Sequence, residues 1–487
     1  MTFVPSVGAS HALRQGREVL LLEVMSSDSG GGSALASLEA LVGSLPPGSR
    51  LPSYRELQRR YRLSPATVQR VLAELSRRGL LVTRPGSGTF TTARRTARPE
   101  ADLSWQTLTL GSRAGLGPEL ERLVDPLPPD SIGLASGFPD ERLQPLGLLA
   151  ASASRAARWP KTWSRVPPQG LPELRSYLAA EAGGGLTADN VLIASGGQSS
   201  LSAVFRHLCA PGDPLIVESP TYVGALAAAR AAGLVLVPVP GDIDGVLPDA
   251  LADAFARTGA RLAYLQPRYA NPTGTVLARG RREPVLAAAA RAGAFLLEDD
   301  WMRDFDLGAP SPPPLVSDDD DGHVIYLRSV SKPIAAGLRV SGLAARGPVL
   351  ARLRRGRISD DLFVAPILQQ IAVDVLTAPG WPRHLGMLRR QLRERRDALV
   401  AAVRELPSVR LDLVPAGGMH VWLRLPDHVS DEAVTEAAAA RGLSVTPGRS
   451  SFPSEPPGSF LRLSYAEEDA AALRGAVEVL AAALATC

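Results

Sequence analysis

Only two lysines, Lys161 and Lys332, occur among 487 residues, so chemistry that needs a primary amine has two candidate positions. Lys332 is the better placed. It closes the stretch VIYLRSVSK, in which an apolar, strand-like run precedes it, and Arg339 follows in GLRVSG. A lysine amine can condense with an aldehyde, and Ser329, Ser331 and Arg339 carry donors that could hold a phosphate beside it. A Ser-Lys pair is common on protein surfaces, so its companions decide the reading.

In ASGGQSS, residues 194–200, an apolar run gives way to a helix start, where the amides of Gly197 and Gln198 can bind phosphate along the helix dipole. ESPTY places Tyr222 beyond the next strand, where its ring could stack on a heteroaromatic face. In QPRYANPTG, Asn271 can hydrogen-bond a phenolic oxygen, with Pro272 and Gly274 fixing the loop. LLEDDW ends an apolar strand with Asp299, a carboxylate able to keep a pyridine nitrogen protonated, and FLRLSYA carries Arg462, whose fork suits a carboxylate. Together these groups fit pyridoxal 5'-phosphate anchored on Lys332, with Arg462 facing an amino compound. No metal is expected. Two cysteines, Cys209 and Cys487, offer no ligand set, and SDDDDG at 317–322 lacks alternating ligand spacing.

Elements that could position these groups are legible as VLIAS, PLIVES, LVLVPV, RLAYLQ, AFLLEDD and VIYLRS, apolar strands alternating with Ala-rich helices. That order predicts an α/β domain with a mostly parallel central sheet over 131–345. Residues 346–487 begin helical, then contain the strand-like MHVWLRL and FLRLSYA, which predicts a smaller C-terminal α/β subdomain.

The N-terminal part differs in charge. Residues 50–95 hold eleven arginines against Glu56 and Glu74, net +9, whereas the whole chain is only +4. Helical patterns start near Ser33 (Leu35, Leu38, Leu41, Val42), after Ser53 with Glu56 as capping-box partner, and at Ser64 or Pro65 (Val68, Val71, Leu72, Leu75). Gly79 ends the third, and LLVTRPGSGTFTT reads as a two-stranded hairpin. Three helices and a hairpin over 33–92 predict a winged helix-turn-helix that binds duplex DNA through Arg55, Thr67, Gln69, Arg70, Arg84 and the backbone at Gly86 and Gly88. Residues 93–130 read as a linker, with one helix expected within 108–123.

These stretches resemble the MocR-type subfamily of GntR transcription regulators, which fuse a winged helix to a fold-type I aminotransferase-like domain. LPPGSRLPSYREL, LSPATVQRVLAELSRRGLL and RPGSGTF carry the first part; SGGQSSL, ESPTY, NPTG, LEDDW, SVSK and LRV carry the second. The resemblance implies Lys332 as covalent anchor, Asp299 as pyridine partner, Tyr222 as stacking ring, Arg339 as phosphate ligand, Arg462 as carboxylate ligand and Arg55 as a DNA contact. It further implies a homodimer whose transcriptional control answers to pyridoxal phosphate or to a small amino compound that reacts with it. Two positions depart from the pattern. Ser64, Pro65, Ala66 and Thr67 stand where the family commonly has SRTT, and Trp301 stands beside the cofactor where the family usually has a tyrosine. An indole N–H can donate but cannot accept or ionise as a phenol does, so transaminase activity is expected to be weak or absent. The alternatives are a pyridoxal-phosphate-dependent aminotransferase with an appended DNA-binding head and a cofactor-binding interaction protein without a DNA target. The start of the chain lacks the pattern of a secretory signal, and no stretch reads as a membrane span; a cytoplasmic location is expected.

Overall fold

The computed structural model describes residues 31–92, 102–110, 128, 131–308 and 310–487. They fall into two compact units, one within Met1–Gly111 and one within Ser112–Cys487. Most of the 93–130 linker lies outside the described residues. Its helix is Ser104–Leu110, starting earlier than the expected 108–123 span, of which 111–123 is not described.

In the first unit the helices Gly31–Ser44, Tyr54–Tyr61 and Pro65–Arg77 precede strands β1 (Leu81–Arg84) and β2 (Gly88–Thr91). Ser53 and Glu56 form the expected capping box, and Ser64 caps the third helix with Pro65 in its first turn, where a missing N–H costs nothing. Leu38, Val42, Leu57, Val68, Val71, Leu75 and Leu81 make one apolar core. The strands pair antiparallel from Leu81↔Thr91 to Arg84↔Gly88, and the connecting tip turns at Gly86 with φ 74°. This is the winged helix outline.

The second unit starts with the short β3 (Ile132–Gly133) and is built on an eight-stranded sheet. In chain order its strands are β4 (Val191–Ala194), β5 (Pro214–Ser219), β6 (Val235–Asp242), β7 (Gly245–Val246), β8 (Leu262–Leu265), β9 (Phe295–Asp300), β10 (Val324–Ser329) and β11 (Ser341–Ala344). In space they run β4-β11-β10-β9-β8-β5-β6-β7, with β6, β5, β8, β9 and β10 parallel. Helices cover both faces through separate apolar cores. Every strand read from the sequence is present. β11 was not foreseen: SGLA has no apolar periodicity, yet it inserts antiparallel between β10 and β4. Gly342 lies there because a Cβ would approach Leu178 Cδ1 to 2.6 Å.

A smaller layer contains β12 (His420–Arg424), β13 (Leu443–Ser444), β14 (Thr446–Pro447) and β15 (Phe460–Ser464), with β15 between β12 and β14. The expected boundary at 345/346 does not coincide with the packing. Helices Pro348–Asp361 and Pro366–Leu376 place Leu353, Ile371 and Val375 in the sheet cores, whereas Leu134 and Leu143 join Leu388, Leu399, Leu461 and Leu480 in the C-terminal core. The reason is a chain crossing: β3 pairs in parallel with β13, so the first described segment of the unit packs with its last layer. Among the described residues no helix is long and apolar enough to cross a membrane.

Candidate cofactor site

The carboxyl ends of parallel strands are where open α/β sheets bind ligands, because helix starts and loops converge there. Here they open on a cavity of about 550 Å³. Gly197, Gln198, Tyr222, Asn271, Asp299, Trp301, Ser329, Ser331, Lys332, Arg339 and Arg462 all line it, so the residues selected from the sequence for this site come together. Gly137, Phe138, Leu201, Gln266 and Ala336 line it too and were not foreseen.

Lys332 stands on a single helical turn, Ser331–Ile334, directly after β10. Its Nζ donates to the Gly137 carbonyl at 2.6 Å and lies 3.5 Å from the centre of the Phe138 ring. Burial pushes the ammonium from 10.5 down to about 7, Arg339 and Arg462 act in the same direction, and Asp299 opposes them. Near neutral pH much of the amine is therefore uncharged, the form that attacks a carbonyl. Lys161 does not line this cavity; it is exposed in the turn Pro160–Trp163.

Asp299 sits in β9 and accepts hydrogen bonds from Tyr264 Oη at 2.8 Å and Gln266 Nε2 at 3.0 Å. Both land on Oδ2, which leaves Oδ1 for a ring N–H. Burial raises this carboxyl to about 6, against the pull of those two bonds and of Lys332; Asp300 adds to the rise. Above that pH it is an anion.

The phosphate end follows from helix Gly197–Leu208, whose N-cap Gly196 provides no side-chain cap, so its first amides are free for an anion. Arg339, itself in a left-handed conformation, crosses this start. Gly196 has φ 91°, and a Cβ on it would lie 2.7 Å from Arg339 Nη2. Gly196→Ala is thus expected to displace Arg339 and weaken cofactor binding on the order of tenfold, from loss of a hydrogen bond to a charged group worth about 1.5–3 kcal/mol; titrating the apoprotein with pyridoxal phosphate measures it, and an unchanged dissociation constant would remove Arg339 from the cradle.

Ser331 is partly committed, since its Oγ accepts the Val340 N–H at 3.1 Å. Tyr222 donates to Gln198 Oε1 at 3.2 Å, and Gln198 Nε2 donates to the Gly224 carbonyl at 2.7 Å, which holds the ring in place. Burial pushes the Tyr222 hydroxyl up to about 12, so it stays protonated.

At the opposite end Arg462 is 2% exposed. It donates to Asn271 Oδ1 (3.2 Å), the Ala135 carbonyl (2.6 Å) and Thr446 Oγ1 (3.2 Å), while its Nε has no partner among the described residues. Trp301 stacks on His420 with ring centres 5.5 Å apart, and its buried Nε1 also has no partner among the described residues. Arg462 and Trp301 both line the cavity, and each brings an N–H whose hydrogen bonding is unfilled among the described residues.

In the first unit Arg55, Gln69, Arg70 and Arg84 are exposed, with the Arg84 guanidinium 5.1 Å from the Phe90 ring centre. Thr67 is less available than expected: its hydroxyl lies 2.8 Å from Ser64 Oγ at the helix cap. Gly88, at φ 111°, has Arg50 packed against it, so Arg50 joins the wing. Arg77 and Arg78 both bind Glu74 and add less to the positive face.

Comparison with known proteins agrees with both halves. Residues 129–480 match the family "Aminotransferase class I and II", and residues 37–91 match "Bacterial regulatory proteins, gntR family". The chain is 26% identical over 456 residues to the probable rhizopine catabolism regulatory protein MocR of Rhizobium meliloti, covering 91% of each. The chain belongs to the MocR-type GntR regulators. It is also similar to the 2-aminoadipate transaminase of Thermus thermophilus, 32% identical with 73% of this chain and 90% of that one covered. Among solved structures, the α-aminoadipate aminotransferase of Thermus thermophilus complexed with N-(5'-phosphopyridoxyl)-L-leucine superposes with TM-score 0.69 and 30% identity, covering 76% of this chain and 97% of that one.

The MocR-type site fits pyridoxal phosphate on its own chemistry: an uncapped helix start and Arg339 for phosphate, Asp299 Oδ1 for the ring nitrogen, Tyr222 for the ring face, Asn271 for the phenolic oxygen and Lys332 for the carbonyl carbon. When bound, the cofactor supplies an electrophilic carbon and an electron-withdrawing ring. What the protein supplies is orientation, burial and a neutral amine.

Proposed function

We propose that this MocR-type regulator is controlled by a ligand, with an amino compound or pyridoxal phosphate itself engaging the Lys332 cavity and changing the DNA affinity of the winged helix. The observation that carries this reading is the pairing, in one chain, of exposed Arg55 and Arg70 on a capped helical head with a cavity holding both an amine anchor and a buried, partly unpartnered Arg462. A homodimer formed through the aminotransferase-like parts and a cytoplasmic location accompany the proposal, and transamination is weak or absent in it. The second reading is a metabolic aminotransferase with an appended head, favoured by the presence of Asp299, Asn271 and Arg462 together.

The test selects duplex DNA from a random library with the full-length holoprotein and follows its affinity against salt. Counterion release predicts a linear fall of log K, with each lost phosphate contact making the slope shallower by about 0.9. Arg55→Ala with Arg70→Ala is expected to weaken binding and flatten that slope by about 1–2. Amino compounds that change the cofactor's absorbance are expected to shift DNA affinity about fivefold or more, the usual scale of coupling. If every such compound leaves DNA affinity unchanged, ligand control is wrong.

A further inference from the structure

Four polar groups of the cavity are joined end to end. Arg462 Nη1 donates to Asn271 Oδ1 at 3.2 Å, the Asn271 backbone N–H donates to Gln266 Oε1 at 2.9 Å, and Gln266 Nε2 donates to Asp299 Oδ2 at 3.0 Å. The chain therefore runs from the group suited to a ligand's carboxylate to the group suited to the cofactor's ring nitrogen. Gln266 is its middle link. It is 2% exposed, it follows β8 directly, and its own backbone N–H donates to Glu218 Oε2 at 2.7 Å, which fixes where the side chain starts.

The residue type matters at this place. A carboxamide accepts on one atom and donates from the other within a single plane, so it can accept the Asn271 N–H and still donate a hydrogen bond to Asp299. Met, of similar length, can do neither. At Asn271 the chain passes from side-chain Oδ1 to backbone N–H, so what it transmits there is the position of the residue; Gln266 then links that backbone to Asp299 through one polarised amide. An Arg462 that turns toward a ligand loosens its hold on Asn271 Oδ1, and the next links re-form around the new position.

We infer that Gln266 is a positioning residue that couples ligand recognition at Arg462 to the grip of Asp299 on the cofactor ring. The inference rests on pyridoxal phosphate as the cofactor and is independent of whether DNA binding answers to a ligand. The strongest influences on the Asp299 charge besides burial are the Tyr264 hydroxyl and Gln266 amide from the β8 side, Asp300 on its own strand and Lys332 after β10. The Tyr222 hydroxyl also feels the Asp299 charge. The bonded route from Arg462 to Asp299 runs through Asn271 and Gln266, and a second route runs through the Lys332 charge, which Arg462 and Asp299 both act on.

The measurement is the dissociation constant of pyridoxal phosphate for full-length protein between about pH 5 and 8, a range that brackets the carboxyl and amine involved. Affinity falls on the acid side as Asp299 takes up a proton, and Lys332 contributes in the same range in every variant that retains it. Gln266→Met removes a bond that favours the carboxylate, so binding is expected to weaken about tenfold at pH 7 and the fall-off to move to higher pH. Arg462→Ala alone is expected to move the fall-off by about half a pH unit. Placed on Gln266→Met, the same change is expected to add no further shift, because the connection is already cut. An equal shift in both backgrounds would overturn the coupling and assign it to the Lys332 route, which Gln266→Met leaves intact. Should Gln266→Met fail to fold, Asn271→Ala removes the acceptor of Arg462 while keeping the backbone N–H bond to Gln266, and Arg462→Ala must then be silent in that background for the inference to stand.

Discussion

Lys332→Ala is expected to abolish covalent attachment of the cofactor altogether. In the parent protein, borohydride treatment of the holoprotein should leave a reduced pyridoxyl group on the peptide that contains Lys332, and the variant should yield none. The expectation follows from placement: the amine lies inside the cavity, is fixed by the Gly137 carbonyl at 2.6 Å, and is brought to about 7 chiefly by burial. Its depressed pKa also sets the pH dependence. Attachment needs the uncharged amine, so it strengthens as pH rises through about 7, while the ring contact needs the Asp299 anion and is lost as pH falls through about 6. Covalent loading is therefore expected to decline from neutral pH toward 5. The alanine variant retains Tyr222, Asp299 and Arg339 and should still bind the cofactor reversibly. A reduced adduct mapped to Lys161 would contradict the assignment, since that side chain sits outside the cavity, 5.8 Å from the exposed Trp159 ring.

The site was readable from sequence wherever a functional group stands next to punctuation that the strand end itself requires. Lys332, Asp299 and Tyr222 each come within a few residues of an apolar run, and Asn271 stands between Ala270 and Pro272 in a turn. Spacing along one segment was enough for these. Gln266 was silent because its meaning lies in two partners, Asn271 across a tight loop and Asp299 on the neighbouring strand, and neither bond has a local signature. Phe138 and Gly137 were silent for the same reason at longer range, reaching Lys332 from a segment that packs with the C-terminal layer. That packing also explains the misplaced subdomain boundary: alternation of strands and helices gives no sign that β3 will pair with β13. Thr67 was read as a DNA contact from its position on the polar side of a helix; the competing pull of the helix start on a nearby hydroxyl gave it another partner.

Transamination is expected to be slower than about 1 per second in both half-reactions across a broad panel of amino donors and keto acids, below the ordinary enzyme range. Complete transfer needs a proton moved at the substrate carbon and the amino group returned to a second substrate, with ring and base correctly aligned throughout. Lys332 is the one lysine in the cavity and can serve as a base once a ligand has displaced it. His420 is not placed to replace it, because its ring stacks on Trp301 and burial drives its pKa well below 6.5. Trp301 brings a donor that finds no acceptor within the described residues, and an indole cannot share or release a proton as a phenol can. The groups that bind a ligand are thus complete while one that tunes the cofactor oxygen is altered, which suits differential binding between two states better than turnover. Trp301→Tyr is expected to raise the half-reaction rate about tenfold, less than the ~10²–10⁴-fold of a full general acid or base because the phenol would tune the cofactor oxygen and not carry the substrate proton. Sustained turnover of the parent at about 1 per second or faster, with no active substrate altering DNA binding, would decide for the metabolic aminotransferase and against the sensor.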